Sequence, residues 1–418
     1  MASDIQEVFL QLVRLGIGCE AGASLPVSGP LSVEEWQALE ELASEHGLLG
    51  VMLDGVEKLP REWRPEKKAI LQSIGQLIQS EQQYAVQEHA AAEMALLLHQ
   101  HGIRTYVLKG AVVAECYPRP EHRRSADMDC FLLPEEGAED VWERGNRVLE
   151  GQGFEVRRDF YKNSTVILPG LTVENHRYFT PFRGNERLKR LERLLQALIA
   201  DDAGSDQIEG TWLYRPPVMV SALFLIEHAY SHFLHEGLTW RMVLDWQMFC
   251  RRHRDEMDWQ ELKVRVDEFG FRGFYDTFNA IGVETFNDNA NDNQGSLRAD
   301  YRRPQTRLGQ TNEFDGSRYS FGSKSEENHS ENLSTFELST DSKRSTIDNK
   351  LKSKMLEDIW APLDVHETVT GLRGKLALAG NTWRARWKYR LFTDMTWLQA
   401  LWIQAKGVVI GKFKVESL

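Results

Sequence analysis

The sequence predicts an α+β protein: a small mixed β-sheet with its own helices, flanked by helical regions before and after it. Three observations carry that reading. Residues 1–100 and 201–285 are rich in runs with helical periodicity. Between them, over residues 101–200, short β-branched stretches alternate with helical ones, as in a compact α+β unit. The chain is also 418 residues long with 42% hydrophobic residues, too much for one small core, so two or three packed units are expected.

The elements follow in order. SVEEWQALEELASEHG opens with Ser32 as N-cap and Glu35 three positions later, a capping box. QYAVQEHAAAEMALLLHQHG is a long helical run that Gly102 ends. The texture then changes. RTYVLK (residues 104–109) is short, β-branched and apolar, and predicts a buried strand. GAVVAECY predicts a short helix, broken afterwards by Pro118 and Pro120, and MDCFLL a second strand. GAEDVWERGNRVLEGQG predicts an amphipathic helix, and FEVRRDF, STVIL and LTVENHRYF three more strands. From about residue 218 the helical pattern returns in PVMVSALFLIEHAYSHFLHEG, TWRMVLDWQMFCRRH and DWQELKVRVDEFG. Residues 286–350 turn to Asn, Asp, Ser and Gly and cannot bury enough surface to offset chain entropy, which predicts a flexible linker. Residues 351–418 close the chain as a C-terminal helical segment rich in aromatics. Its tryptophans, Trp383, Trp387, Trp397 and Trp402, suit packing more than base stacking, and AKGVVIGKFKV suits docking onto the body more than a membrane surface.

Composition narrows the function. Cys19, Cys116, Cys130 and Cys250 are scattered without metal-cluster or disulfide spacing, which fits a reducing compartment. MASDIQEVFLQLVRLG lacks the basic and apolar regions of a secretory signal, and no uncharged apolar run reaches membrane-spanning length, so a cytosolic protein is expected. A formal net charge of -12 argues against a general nucleic-acid binder, although a local basic cluster such as RPEHRR can still hold a small anion.

The stretch SADMDCFLL raises the chemical question, because Asp127 and Asp129 stand two residues apart at the mouth of an apolar strand. Alternation turns both carboxylates to one face and Met128 and Cys130 to the core. Such a pair seats a hard divalent cation, since Mg²⁺ is held through one or two carboxylates with water and substrate phosphates completing its shell. Two solvated, idle aspartates are the alternative. Upstream, VLKGA places Lys109 and Gly110 at a strand-to-helix junction, where glycine permits close backbone approach and free helix amides attract phosphate. Arg123 and Arg124 either clamp phosphate oxygens or lie in a solvated loop. Downstream, Glu174 and His176 share one strand face; a carboxylate there completes a metal site, acts as a base, or stays solvated. His228, His232 and His235 fall on one helix face, which suits a zinc site or, more simply, one histidine in the pocket and two that pack. Arg241 and Asp245, four apart, read as a helical ion pair that helps orient the site.

This order of strand, glycine, helix, D-h-D and later carboxylate resembles the DNA polymerase β-like nucleotidyltransferase fold. More narrowly, YVLKGAVVAECYPRPEHRRSADMDCFLL is similar to a bacterial nucleotidyltransferase family with an L-K-G-(A/S) turn, a Tyr-Pro segment and D-(I/M)-D. Glu174-Asn175-His176 resembles its (D/E)-x-H element, and His228, Arg241 and Asp245 match polar positions of its later helical element. The resemblance runs from about residue 30 to 285, and weakly again at WKYR. It implies Mg²⁺- or Mn²⁺-dependent transfer of a nucleotidyl group from an NTP, ATP in the first place, to a hydroxyl of a small molecule, peptide or protein. Asp127 and Asp129 would hold the metals, Glu174 would be the third carboxylate, and Lys109 and Gly110 would face the phosphates. The turn here is Gly110-Ala111 where the wider fold has Gly-Ser or Gly-Gly, so Ser125 is the candidate hydroxyl. Two other classes stand beside this one: a silent nucleotide- or metal-binding regulatory module, and a toxin-like nucleotidyltransferase acting on tRNA or protein.

Overall fold

The N-terminal helical expectation is met by four helices: α1 (Ala2–Gly16), α2 (Val33–Glu45), α3 (Leu49–Glu57) and the 33-residue α4 (Lys67–His99). They belong to a computed structural model that describes residues 2–19, 29–136, 140–158, 160–287, 342–360 and 386–392. The capping box of α2 forms in full, with Ser32 Oγ accepting from the Glu35 amide and the Glu35 carboxylate accepting from the Ser32 amide.

The architecture is α+β, with thirteen helices among the described residues and one seven-stranded mixed sheet. The strands are β1 (Ile103–Val107), β2 (Asp127–Pro134), β3 (Glu155–Arg157), β4 (Asn163–Leu168), β5 (Leu171–His176), β6 (Asp206–Gln207) and β7 (Leu213–Arg215). Their order across the sheet is β3-β4-β5-β2-β1-β7-β6. β2 runs antiparallel to β1 and parallel to β5, so it lies central and carries neighbours on both edges. The last two strands lie beyond residue 200, within the stretch whose sequence reads as helical.

Helix α5 (Ala111–Ala114) connects β1 toward β2, and α6 (Val141–Gly151) connects β2 to β3. Helix α7 (Glu186–Asp201) precedes β6. The later helices are α8 (Val218–His235), α9 (Trp240–Arg252), α10 (Trp259–Glu268) and α11 (Arg272–Phe286). Helix α12 (Ser342–Trp360) begins inside the stretch expected to be a linker, and α13 (Arg386–Phe392) lies within the aromatic C-terminal segment. The rest of both segments, with Trp383, Trp397, Trp402 and AKGVVIGKFKV, lies outside the described residues. Trp387 sets its ring edge-on to Phe233 of α8 at 5.7 Å. Among the described residues no helix is long and apolar enough to cross a membrane.

The sheet is covered on both faces. On one side, Met128, Cys130, Leu132 and Val173 pack with Ala91, Met94 and Leu98 of α4 and with Leu149 of α6. Helix α6 approaches closely at Gly145, where any Cβ would stand 2.4 Å from Leu132 Cδ1. On the other side, Tyr106, Leu108 and Phe131 join the large core built by α8, α9 and the N-terminal helices. Alternation along β2 therefore turns Asp129 away from the α4 side and beneath helices rather than into open water, while Asp127, at the strand mouth, is half-buried.

Candidate active site

Cross-strand register assembles the acidic site. β2 and β5 pair in parallel with Asp129 opposite Glu174 and Phe131 opposite His176. Asp129, Glu174 and His176 each offer a ligand atom within 4.8 Å of the others, the one such cluster among the described residues. Asp127 is outside that cluster: it lies at the first position of β2, opposite Thr172, and stays half-buried.

Asp129 is not the solvated aspartate of the alternative reading. It is 2% exposed, closed in by Lys109 and His176, which in turn meet His228 and Phe224 of α8. His176 Nε2 donates to its Oδ1 at 2.8 Å, and the Lys109 ammonium sits 3.2 Å from its Oδ2. Burial pushes the Asp129 carboxyl up, but the Lys109 charge and the His176 hydrogen bond outweigh it and hold it well below the usual carboxylate range. Despite the close ammonium, Oδ2 has no aligned hydrogen-bond donor. Lys109 instead donates to His228 Nε2 at 2.9 Å. That bond keeps Nε2 an acceptor, and burial together with the Lys109 charge holds His228 well below its ordinary value, so its ring is neutral. His176 is buried edge-on to Phe224 of α8, and its Nδ1 faces the Tyr178 carbonyl at 3.3 Å.

Glu174 is the accessible member of the cluster, with a side chain 37% exposed. Asn163 on the neighbouring β4 donates to its Oε2 at 2.9 Å, and His176 Nε2 lies 3.6 Å from the same atom. Burial, then the charge of Asp129, raises its carboxyl. Asp127 adds to that push, so its charge reaches the cluster even though its ligand atoms do not.

A second chain of contacts holds the turn above the site. Asp245 of α9 is buried and accepts from Tyr117 Oη at 2.7 Å, and from Arg123 Nε and Nη2 at 2.7 and 2.8 Å. Arg241, the expected partner of Asp245, stands further off at 3.7 Å. Arg123 reaches on through Nη1 to the Gly110 carbonyl at 3.4 Å and to Ser125 Oγ at 3.5 Å. Arg123 is thus a buried brace rather than an open clamp; its fork already matches a carboxylate. Arg124 beside it is exposed and makes no ion pair among the described residues. Ser125 Oγ donates to the Asp127 carbonyl at 2.9 Å. Gly110 takes φ +85°, and a Cβ there would sit 3.2 Å from the Asp127 carbonyl, so glycine is required for the turn to close on the strand. An open cleft, about 590 Å³ counting its mouth, lies on the α4 side of the same strand end, where Asp127 and Ser125 meet Tyr84, Gln87 and Glu88.

The histidine face of α8 does not converge. His228 is taken by Lys109, His232 Nδ1 pairs with Glu236 at 2.7 Å, and His235 Nδ1 turns to the Ser231 carbonyl at 2.7 Å. The zinc alternative therefore has no ligand set here.

The sequence reading passed over four polar residues near the site. Asn163 orients Glu174. Lys162, half-buried in the β3–β4 turn, makes no ion pair among the described residues, yet its charge acts on Glu174, Glu227 and His228. Glu227 is 2% exposed, and burial pushes its carboxyl up to about 7 against the pull of Lys162. Glu192 of α7 is fully buried and raised by burial to about 6, while it accepts from the Phe179 and Thr180 amides at 3.1 and 2.8 Å. Glutamate in the otherwise apolar run ALFLIEHAY was the readable signal, since an unpaired charge is rarely buried without reason.

A family model described as an uncharacterised nucleotidyltransferase matches residues 32–284, more than half of the chain, and spans α2 to α11 with every strand of the sheet. No curated protein and no solved structure matches.

Proposed function

The chain belongs to the uncharacterised nucleotidyltransferase family, and from that membership we propose metal-dependent nucleotidyl transfer from an NTP, read as ATP, to a hydroxyl of a small molecule, peptide or protein. The observation that carries the reading is the register that sets Asp129 against Glu174, with Asp127 one alternation upstream on the same face. A hard divalent cation fits these residues. Asp129 Oδ2 is buried without an aligned donor, and the donor set is dominated by carboxylate oxygen. Asp127, Asp129 and Glu174 would hold Mg²⁺ or Mn²⁺; a direct His176 ligand would tilt the choice toward Mn²⁺. When bound, the ion neutralises charge on the transferring phosphoryl oxygens and the pyrophosphate leaving group.

The chain's own residues supply the rest. His176 fixes the Asp129 carboxylate by hydrogen bond, so the ligand geometry is set before anything binds. Asn163 orients Glu174, whose partly exposed carboxylate would serve either as the third metal ligand or as the base for an attacking hydroxyl. Lys109 is a point charge with partners it can exchange for a phosphate oxygen. Arg123 and Asp245 hold the Gly110 turn in place.

One observation favours a second reading. The Lys109 ammonium already neutralises Asp129, as it would in a module that binds nucleotide without turnover. A transfer assay separates the two, using each α-labelled NTP with Mg²⁺ or Mn²⁺ and host lysate, run beside Asp127→Asn. Label moved by the wild type and not by the variant supports transfer and exposes the acceptor class. Metal-dependent NTP binding without transfer favours the silent module. Neither transfer nor binding would sink both readings.

A further inference from the structure

Beside the acidic cluster the structure gathers aromatic rings and uncommitted cations from two separate segments. Phe160 and Tyr161 come from the turn before β4; Tyr178, Phe182 and Arg183 come from the segment after β5. The Tyr161 ring lies 4.8 Å from Phe160, 6.3 Å from Tyr178 and 6.0 Å from Phe182. The Arg183 guanidinium carbon stands 3.9 Å over the centre of the Tyr161 ring, and the Arg183 amide donates to Tyr161 Oη at 3.3 Å. Stacking of this kind fixes the plane of a guanidinium while leaving its edge donors available. Neither Arg183 nor Lys162 makes an ion pair among the described residues, although the protein carries a net charge of -12. Lys162 lies between Tyr161 and Asn163, its carbonyl accepts from the Arg177 and Tyr178 amides at 2.7 and 3.1 Å, and Asn163 pairs with His176 and donates to Glu174, so Lys162 stands at the edge of the site. Phe160 is 48% exposed, a cost in water unless something covers the ring.

We propose that this wall is the nucleotide's docking surface: Lys162 and Arg183 receive the triphosphate, and the exposed ring of Phe160 takes the base. The inference rests on the nucleotidyl-transfer reading and names the residues that hold its donor substrate. The chemistry is complementary, because a triphosphate offers the anionic oxygens two unpaired cations lack and a base offers a flat face to an uncovered ring. It also orients the donor, with the phosphates pointing along Lys162 toward Glu174.

Calorimetry with ATP and with inorganic triphosphate, each with Mn²⁺, tests it on the full chain. Lys162→Met and Arg183→Gln are expected to weaken both ligands by about tenfold to a hundredfold, the loss of one charge-assisted hydrogen bond. Phe160→Ser is expected to weaken ATP by about tenfold or more yet leave triphosphate unchanged, and Phe160→Tyr to restore ATP binding. Circular dichroism of each variant checks the fold. Wild-type binding with all three loss variants unchanged overturns this wall alone, whereas a wild type that binds no NTP overturns the nucleotidyl-transfer reading on which it rests. A Phe160→Ser variant that weakens both ligands equally would overturn the assignment of the base to that ring.

Discussion

Asp129→Asn should damage the fold as well as the chemistry, and Asp127→Asn should not. Judged only as two like charges on one strand face, either substitution relieves repulsion and leaves stability unchanged or slightly raised. The structure assigns them different costs. Asp129 is 2% exposed and is the carboxylate paired with Lys109, whose side chain is 12% exposed. Asparagine still accepts the His176 hydrogen bond, but it leaves the ammonium buried without a counter-charge. Breaking a buried pair from one side costs roughly 3–5 kcal/mol. Asp127 is half-buried and in no ion pair among the described residues, so its substitution belongs with surface changes of about ±0.5 kcal/mol. Guanidinium unfolding followed by far-UV circular dichroism, at neutral pH and without divalent metal, measures the difference as a shift in midpoint at constant slope. Adding Lys109→Met to Asp129→Asn removes the stranded charge and should recover at least about 1.5 kcal/mol, a coupling that distant sites do not show. An Asp129→Asn protein as stable as Asp127→Asn, with no coupling to Lys109, would refute the reasoning.

Three further outcomes follow from particular contacts. His46 is buried, accepts the Trp240 amide at 3.3 Å and stacks on Phe9, and burial lowers it to about 4. Its folded value lies below its unfolded 6.5, so its contribution is complete above the unfolded value and is lost as pH falls toward 4. The loss amounts to roughly 3 kcal/mol, and acid titration of stability should show a slope in that window that His46→Asn removes. Gly110→Ala forces a Cβ into φ +85° and against the Asp127 carbonyl, which should cost about 1–3 kcal/mol and weaken Mn²⁺ binding, read by thermal melting and calorimetry. Lys109→Met removes the ammonium that competes for Asp129 and should tighten Mn²⁺ while weakening NTP; weakened Mn²⁺ binding would show that Lys109 does not compete with the metal.

Much of this was legible in the sequence because it is local. The Ser32 capping box, the β1 and β2 cores and the alternation of Asp127 with Asp129 depend only on near neighbours, and each appears as read. The pairing of β2 with β5 is a contact 45 residues apart, as in Asp129 opposite Glu174, and only the family's order of motifs suggested it. What was illegible depends on covering. Nothing in SADMDCFLL says that Lys109 and His176, which meet α8 almost a hundred residues later, will close in Asp129 and leave Asp127 half-covered. Helix α7 and the β6–β7 edge were missed for different reasons: α7 is so charged that its apolar stripe is thin, and the edge strands, Asp206–Gln207 and Leu213–Arg215, are too short to show alternation. Lys162 and Arg183 could not be weighed because a cation's function lies in its lacking a partner, which only a fold reveals.

The cations of the site divide by how fully they are spent. Arg123 gives two donors to Asp245 and a third to the turn, and burial raises the cost of leaving any of them open. It cannot turn to a substrate without stranding Asp245 and loosening the Gly110 junction, so its work is to hold the turn on which Lys109 is mounted. Lys109 is different. Its charge is balanced by Asp129 at 3.2 Å without an aligned bond, and its one short bond is to a neutral histidine. If the site transfers nucleotides as proposed, a divalent cation would compete with it for the carboxylate, and a phosphate would offer it a better acceptor than His228 does. On that reading metal and nucleotide would act on the same lysine, and their binding would favour each other through a single residue.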